Sequence, residues 1–243
     1  MKILIPTAKE MKEREPWEGQ VGLSEQSQQV LEALSSLSIE DLAKFYKISE
    51  ERVGQEYQRW QDIQAGRAKL YPALELFDGL MYRQMKRSQL SQEEQAYLDD
   101  HLFITSSLYG VIPARKPISA HRLDFMGSVK VAGKSLKSFW RKAYDQALAG
   151  EDLIISLLSS EFEAVFSKKI RDRLVRVKFL EERDGKLKVH STISKKARGA
   201  FVTALLESQV KTMEQMTSLT FADFSYRKEL SSPQELVFVK VSK

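Results

Sequence analysis

The chain has 243 residues, with 38 Lys and Arg against 33 Asp and Glu, three His and no Cys. A length of this order suits one large domain or two small ones and needs no covalent staples to bury a core. The lack of Cys excludes a disulfide framework, Cys-ligated zinc or iron–sulfur clusters and a thiol nucleophile, and three His do not supply a three-His zinc site plus a catalytic base.

Residues 2–6 (KILIP) read as a short buried strand ended by Pro6, and the polar stretch 7–23, with Pro16, Gly19 and Gly22, as a loop. Residues 24–36 are predicted helical, with Ser24 as N-cap and Val30, Leu31 and Leu34 on one face. Two short helices follow at 38–47 and 49–64, with Ser38 and Asp41 placed as in a capping box; so tight a pair is a helix–hairpin–helix candidate over 38–60. Residues 71–88 suit strand or helix equally, with Gly79 breaking either pattern. Residues 91–100 are a capped helix and 102–106 (LFITS) a strand. The long segment after it, with Pro113 and Pro117, is of a length that in a compact domain is more often functional or locally folded than idle.

An amphipathic helix is predicted over 134–150, where Leu136, Phe139, Trp140, Ala143, Tyr144 and Ala147 recur at helical spacing. A buried strand (152–157) and a short helix (SEFEAVF) come next. Residues 173–193 read as a hairpin turning at Asp184-Gly185, the residue pair favoured in type I′ turns. A helix over 195–208 and a final strand over 235–242 complete the chain. This order predicts an α/β, mixed α+β fold with a central mixed sheet, flanking helices and a late hairpin. The first and last strands are expected in the same sheet, and residues 1–243 in one domain. No run reaches the ~20 apolar residues of a membrane span, and the N-terminal apolar run is shorter than a signal-peptide core of roughly 7–15 residues. The expectation is a cytoplasmic protein without membrane association.

Charge is unevenly distributed. Residues 1–120 carry a net −3 and residues 121–243 a net +8. Such asymmetry points to a polyanionic partner, or blandly to solvated faces. Three clusters make most of it: Arg122 to Lys142, KKIRDRLVRVK at 168–178, and Lys195, Lys196 and Arg198. The last three stand at a predicted helix start, where cations are disfavoured by the helix dipole and free N–H groups assist an anion. Lys9 follows the first strand, a place where sites open in α/β sheets and where a lysine serves as phosphate binder or desolvated nucleophile. Tyr82, Tyr109 and Trp140 suit base stacking or the core, and His121-Arg122 an acid–base or phosphate pair or an ordinary satisfied loop histidine. Asp78, Asp124, Asp145 and Glu161 form no metal spacing, and no glycine-rich phosphate loop, GxSxG or HExxH is present.

ILIPTAKE at the start, LFDGLMY at 76–82, SSLYGV at 106–111, HRLDFM at 121–126, LKSFW at 136–140, FLEERDGKLKV at 179–189, SKKARG at 194–199 and ELVF at 235–238 run nearly end to end. In that order and spacing they resemble the YaaA family of bacterial peroxide-stress proteins. The resemblance implies a single-domain α/β fold with a basic cleft and a helix–hairpin–helix element. It also implies binding to double-stranded or branched DNA, and a part in limiting oxidative damage linked to lowered intracellular free iron. No enzymatic activity is established for that family. At its motif positions stand Lys9, Gly79, Tyr82, Tyr109, Gly110, Arg122, Lys195, Lys196, Arg198 and Gly199. Departures are Pro6-Thr7 before Ala8-Lys9 where the family commonly reads Ser-Pro, Pro113-Ala114 in place of Arg-Pro, and His121 in place of Tyr. The 38–60 pair also lacks the glycine-rich hairpin.

The reading is therefore a DNA-binding protein of the peroxide response that uses Lys9, Tyr82, Tyr109, Arg122, Lys195, Lys196 and Arg198, with no cofactor, no metal and no obligate protein partner. The alternatives are an enzyme acting on DNA or a nucleotide with a cleft lysine, and an iron-handling protein built on carboxylates. Lys195, Lys196 and Arg198 are expected to line one cleft with Lys9.

Overall fold

The N-terminal strand β1 (Lys2–Pro6) sends Ile3 and Ile5 to one side and Leu4 to the other, and all three are buried. A strand that is apolar on both faces belongs inside a sheet covered by helices. In the computed structural model, which describes residues 1–241, β1 has that place. Helices α1 (Glu25–Ser35), α2 (Ile39–Tyr46) and α3 (Glu50–Gln64) follow. Next are β2 (Leu70–Pro72), a single turn α4 (Ala73–Leu76), a 3-10 turn at Tyr82–Gln84 and α5 (Gln92–His101). Strands β3 (Leu102–Ser106), β4 (Gly110–Pro113) and β5 (Pro117–Ser119) lead to the small hairpin β6 (Lys130–Val131) and β7 (Lys134–Ser135). Beyond it lie α6 (Leu136–Ala147), β8 (Ile154–Ser156), α7 (Ser160–Glu163) and α8 (Lys168–Arg171). The last stretch holds β9 (Leu174–Arg183), β10 (Lys186–Lys188), α9 (Ser191–Glu207), α10 (Met213–Thr217), β11 (Thr220–Phe221), β12 (Phe224–Tyr226) and β13 (Glu235–Val241). The predicted strand at 235–242 thus ends one residue outside the described residues.

The main sheet runs β11-β12-β13-β9-β8-β1-β3-β4, with β10 on β9. Its five middle strands are parallel, and β4, β10, β11 and β12 join antiparallel. The expected mixed sheet is present, with the first and last strands both in it. One face packs on α4, α5 and α9 through Ile3, Ile5, Tyr97, Leu98, Phe201 and Val202. The other packs on α1, α2, α3 and α6 through Leu4, Val30, Leu42, Trp60, Trp140 and Tyr144. Among the described residues no helix is long and apolar enough to cross a membrane.

Three segments differ from the sequence reading. Residues 71–88 resolve into β2, α4 and the 3-10 turn, because β2 pairs with β5 well downstream (Leu70 with Ser119) rather than with a sequence neighbour. The hairpin does turn at Asp184-Gly185, both with positive φ (51° and 70°), but its second strand is only three residues long. Helix α9 then begins at Ser191, four residues before the predicted start. The β-branched Thr192 and Ile193 look like strand, but Ile193 packs against the core from the first turn of the helix, so tertiary burial overrides propensity.

Candidate functional site

In an open α/β sheet, ligands bind outside the carboxyl ends of the strands where successive connections leave to opposite faces. Here that point is β1. The connection to β3 on one side ends through α5 on the first face, and the connection to β8 on the other side ends through α6 on the second. The crevice over the carboxyl ends of β1 and β8 is the candidate site.

On its β1 side the chain is held closely. The hydroxyl of Tyr82 donates to the Pro6 carbonyl at 2.8 Å, and Gly79 leaves room for the Ala8 methyl, which a Cβ there would meet at 2.9 Å. The loop so fixed presents Lys9, whose Nζ lies 3.1 Å from the carboxylate of Asp124 while most of the side chain stays in solvent. Glu161 accepts from the backbone N–H of Phe125 at 2.8 Å. Burial, and then the neighbouring charge of Asp124, raise its pKa, against the pull of that N–H, Lys137 and Lys9. Thr7, Lys9, Asp124 and Glu161 line a small cavity of about 70 Å³. Two of the carboxylates that look scattered in sequence thus meet beside Lys9.

On the β8 side, Glu163 accepts from Ser156 Oγ at 2.6 Å and from Arg176 Nε at 2.8 Å. Burial lowers the pKa of Arg198, and the charge of the same carboxylate opposes this. Ser156, Glu163 and Arg176 carry no motif; the one sequence hint is Glu163 beside Glu161 in SEFE. Glu161 and Glu163 share α7; the charge of Lys9 acts on the first and that of Arg198 on the second.

Lys195 and Lys196 lie exposed in the first turns of α9. Because α9 starts at Ser191, they are not at its free N–H groups, and that part of the anion argument does not hold. Some cations of the other clusters are occupied. Lys168 pairs with Asp172, Arg176 with Glu163 and Lys178 with Glu235, while Arg141 donates to the carbonyls of Ala164 and Val165.

The aromatic candidates lie inward. Tyr82 is fully buried, with its phenol pKa raised by burial, and offers no face for a base; it positions the Lys9 loop instead. Tyr109 is half-buried against His121, and its hydroxyl accepts from the Ser119 N–H at 3.0 Å. Trp140 is core and donates to the Ser107 carbonyl at 2.7 Å. Arg122 lies over the Tyr46 ring at 5.3 Å, against α2 rather than in the crevice, and its carbonyl accepts from the Tyr46 hydroxyl. Helices α2 and α3 are joined by Lys47–Ser49, with Lys47 at a φ of 55° where a glycine is usual. Among the described residues no three His, Asp or Glu side chains come together as a metal set.

His121 is buried among Trp60, Phe77 and Tyr109, and its Nδ1–H donates to the Ser119 carbonyl at 2.8 Å. Burial pushes its pKa down to about 4; the Ser119 carbonyl opposes this and the Arg59 charge adds to it. The unfolded chain takes up this proton below about pH 6.5, whereas the folded protein does so only near pH 4. Stability from this group is therefore complete above pH 6.5 and is lost as pH falls toward 4, by up to about 3 kcal/mol. Denaturant unfolding of the wild type and His121→Phe will test this. The margin of wild type over variant should shrink in that window, and a margin independent of pH refutes the assignment. The raised carboxyls Glu56 and Glu161 act with the opposite sign but are common to both proteins.

A family model described as peroxide stress protein YaaA matches residues 1–230. The chain is also similar to UPF0246 proteins of Streptococcus pneumoniae serotype 19F (strain G54) and of Streptococcus pneumoniae strain ATCC 700669 / Spain 23F-1. Identity is 57% and 58% over 240 residues, with 99% of each chain covered.

Proposed function

The chain belongs to the peroxide stress protein YaaA family, and from that premise we propose that it acts in the cytoplasm as a DNA-binding protein of the peroxide response. In this reading it holds double-stranded or branched DNA by the phosphates and limits DNA damage in concert with lowered free iron. The observation that carries the reading is a set of unpaired cations. Lys195 and Lys196 on α9, and Arg183, Lys186 and Lys188 on the adjoining hairpin, are exposed and have no carboxylate partner among the described residues. Cations free of internal partners exchange readily for phosphate contacts, with release of counterions from the DNA. In this reading Lys9 and Arg198 add their charges to the set, and Tyr82 and Tyr109 act by positioning. Glu50 and Glu51 open α3 and disfavour phosphate there, so the contact is assigned to the α9 edge rather than to the α2–α3 pair.

Phosphate contacts position a protein and carry little sequence information. Replacing Lys195 and Lys196 together by Ala should therefore weaken binding equally on two unrelated duplexes. Each lost contact should reduce the slope of log K against log salt by about 0.9. A salt titration of wild type and variant reads both quantities. An unchanged slope moves the contact elsewhere, and no wild-type binding at low salt refutes the DNA reading. The second reading, an enzyme acting on DNA or a nucleotide, is favoured by Lys9 standing between Asp124 and Glu161. Its mark is chemical turnover of bound DNA or nucleotide that Lys9→Met abolishes.

A further inference from the structure

Arg198 differs from its neighbours on α9. It is mostly buried, its Nε has no hydrogen-bond partner, and among the described residues it makes no ion pair. The opposite charge that acts on it, Glu163, already accepts from Ser156 and Arg176. Arg176 in turn donates to the Arg171 carbonyl as well. Glu163 is thus already engaged by Arg176, and the Arg198 Nε is left buried without an acceptor. A buried charge without a partner is among the costliest features a fold can carry.

The position of Arg198 is also fixed. Gly199 brings α9 so close to the Met81 carbonyl that a Cβ would stand 2.1 Å from it, so the helix is pressed against its neighbour. Helix α9 packs on the first face of the sheet, and the charge of Glu163 on α7, the helix that follows β8, acts on Arg198. An arginine fork matches two oxygens of one planar or tetrahedral anion better than any other side chain.

We propose that the crevice over the carboxyl end of β8 binds a small molecule through a terminal oxyanion, phosphoryl or carboxylate, seated on Arg198. Lys195 and Lys196 are exposed on α9 and take no part in the proposed site, so variants at these two positions separate it from DNA binding. The ligand supplies the negative charge that the folded chain lacks at this point, so the free protein is held below its attainable stability by Arg198 itself.

Thermal unfolding and calorimetric titration in an anion-poor buffer will test this, with inorganic phosphate, adenosine 5′-monophosphate, succinate and a blunt duplex without terminal phosphates as probes. At least one small anion should raise the wild-type Tm in a dose-dependent way. The Lys195→Ala/Lys196→Ala protein should keep that shift. Arg198→Met should lose it, and without anion should melt about 2–4 °C above wild type, since it removes an unpaired buried charge. Arg198→Gln, which keeps polarity without charge, should lose the shift too. The proposal is overturned if no small anion shifts the wild type, or if the shift survives both Arg198 variants. It is equally overturned if both variants melt below wild type or fail to fold, which marks Arg198 as structural. A shift by the duplex alone assigns Arg198 to a DNA phosphate and ends the small-molecule assignment.

Discussion

Gly199→Ala will lower the melting temperature by on the order of 10 °C, equivalent to a loss of about 3–5 kcal/mol. The added methyl would stand 2.1 Å from the Met81 carbonyl oxygen and 2.8 Å from the Gln84 Cβ. Neither can retreat easily. Met81 and Tyr82 are buried, Tyr82 is tied to Pro6, and Thr203 of the same helix donates to the Gln84 carbonyl and accepts from the Lys86 N–H. The clash must therefore push α9 off the sheet or shift the segment that fixes the Lys9 loop. Gly54→Ala in α3 is the internal control. A Cβ there meets nothing within 4 Å, and a helical alanine in place of glycine should gain up to about 1 kcal/mol. Equal melting shifts for the two variants would refute the close approach of α9.

Glu163→Ala should cost about 3–4 kcal/mol in urea unfolding at constant m. The carboxylate is 13% exposed and is the acceptor for both Ser156 and Arg176, so its removal strands a hydroxyl and a guanidinium group and takes away the negative charge that acts on Arg198. Arg176 is 37% exposed, and water will screen part of its share. In the double variant Glu163→Ala/Arg198→Met one of the two stranded cations is gone, so the losses should not add. A coupling of about 1 kcal/mol or more is expected, because the two groups share one network. A loss below about 1 kcal/mol for Glu163→Ala, or strict additivity, would show that the carboxylate does not balance these arginines.

Local signals carry the elements that local physics decides. Ser24, Ser38 and Ser91 cap the helices they were expected to cap, and Asp184-Gly185 makes the expected turn. KILIP and LFITS read as strands and are neighbours in the sheet. What sequence does not carry is set by partners distant in the chain. The segment around Gly79 takes its shape from Ala8 and Gly199, at positions with no periodic relation to it. The site divides in the same way. Lys9 and Arg198 are legible as cations in suggestive places. The salt bridge of Lys9 to Asp124, and the hydrogen bonds of Ser156 and Arg176 to Glu163, arise only when stretches distant in the chain meet. Tyr82 is left open between base stacking and the core because a tyrosine does not reveal from sequence alone which way its ring points.

The central position of β1 has a kinetic side. Leu4 pairs with Phe103 in one neighbour and with Ser156 in the other, so the first strand to be made waits for partners roughly 100 and 150 residues later. At about 5–20 residues per second of synthesis, the second of those partners emerges on the order of 10–30 s after β1. For that interval Ile3, Leu4 and Ile5 form an unpaired apolar strand open to any other strand that meets it. Assembly from such distant pairings is intrinsically slow. Yield during synthesis should therefore depend on how well this one short segment is shielded before β8 arrives, more than on the stability of the finished protein.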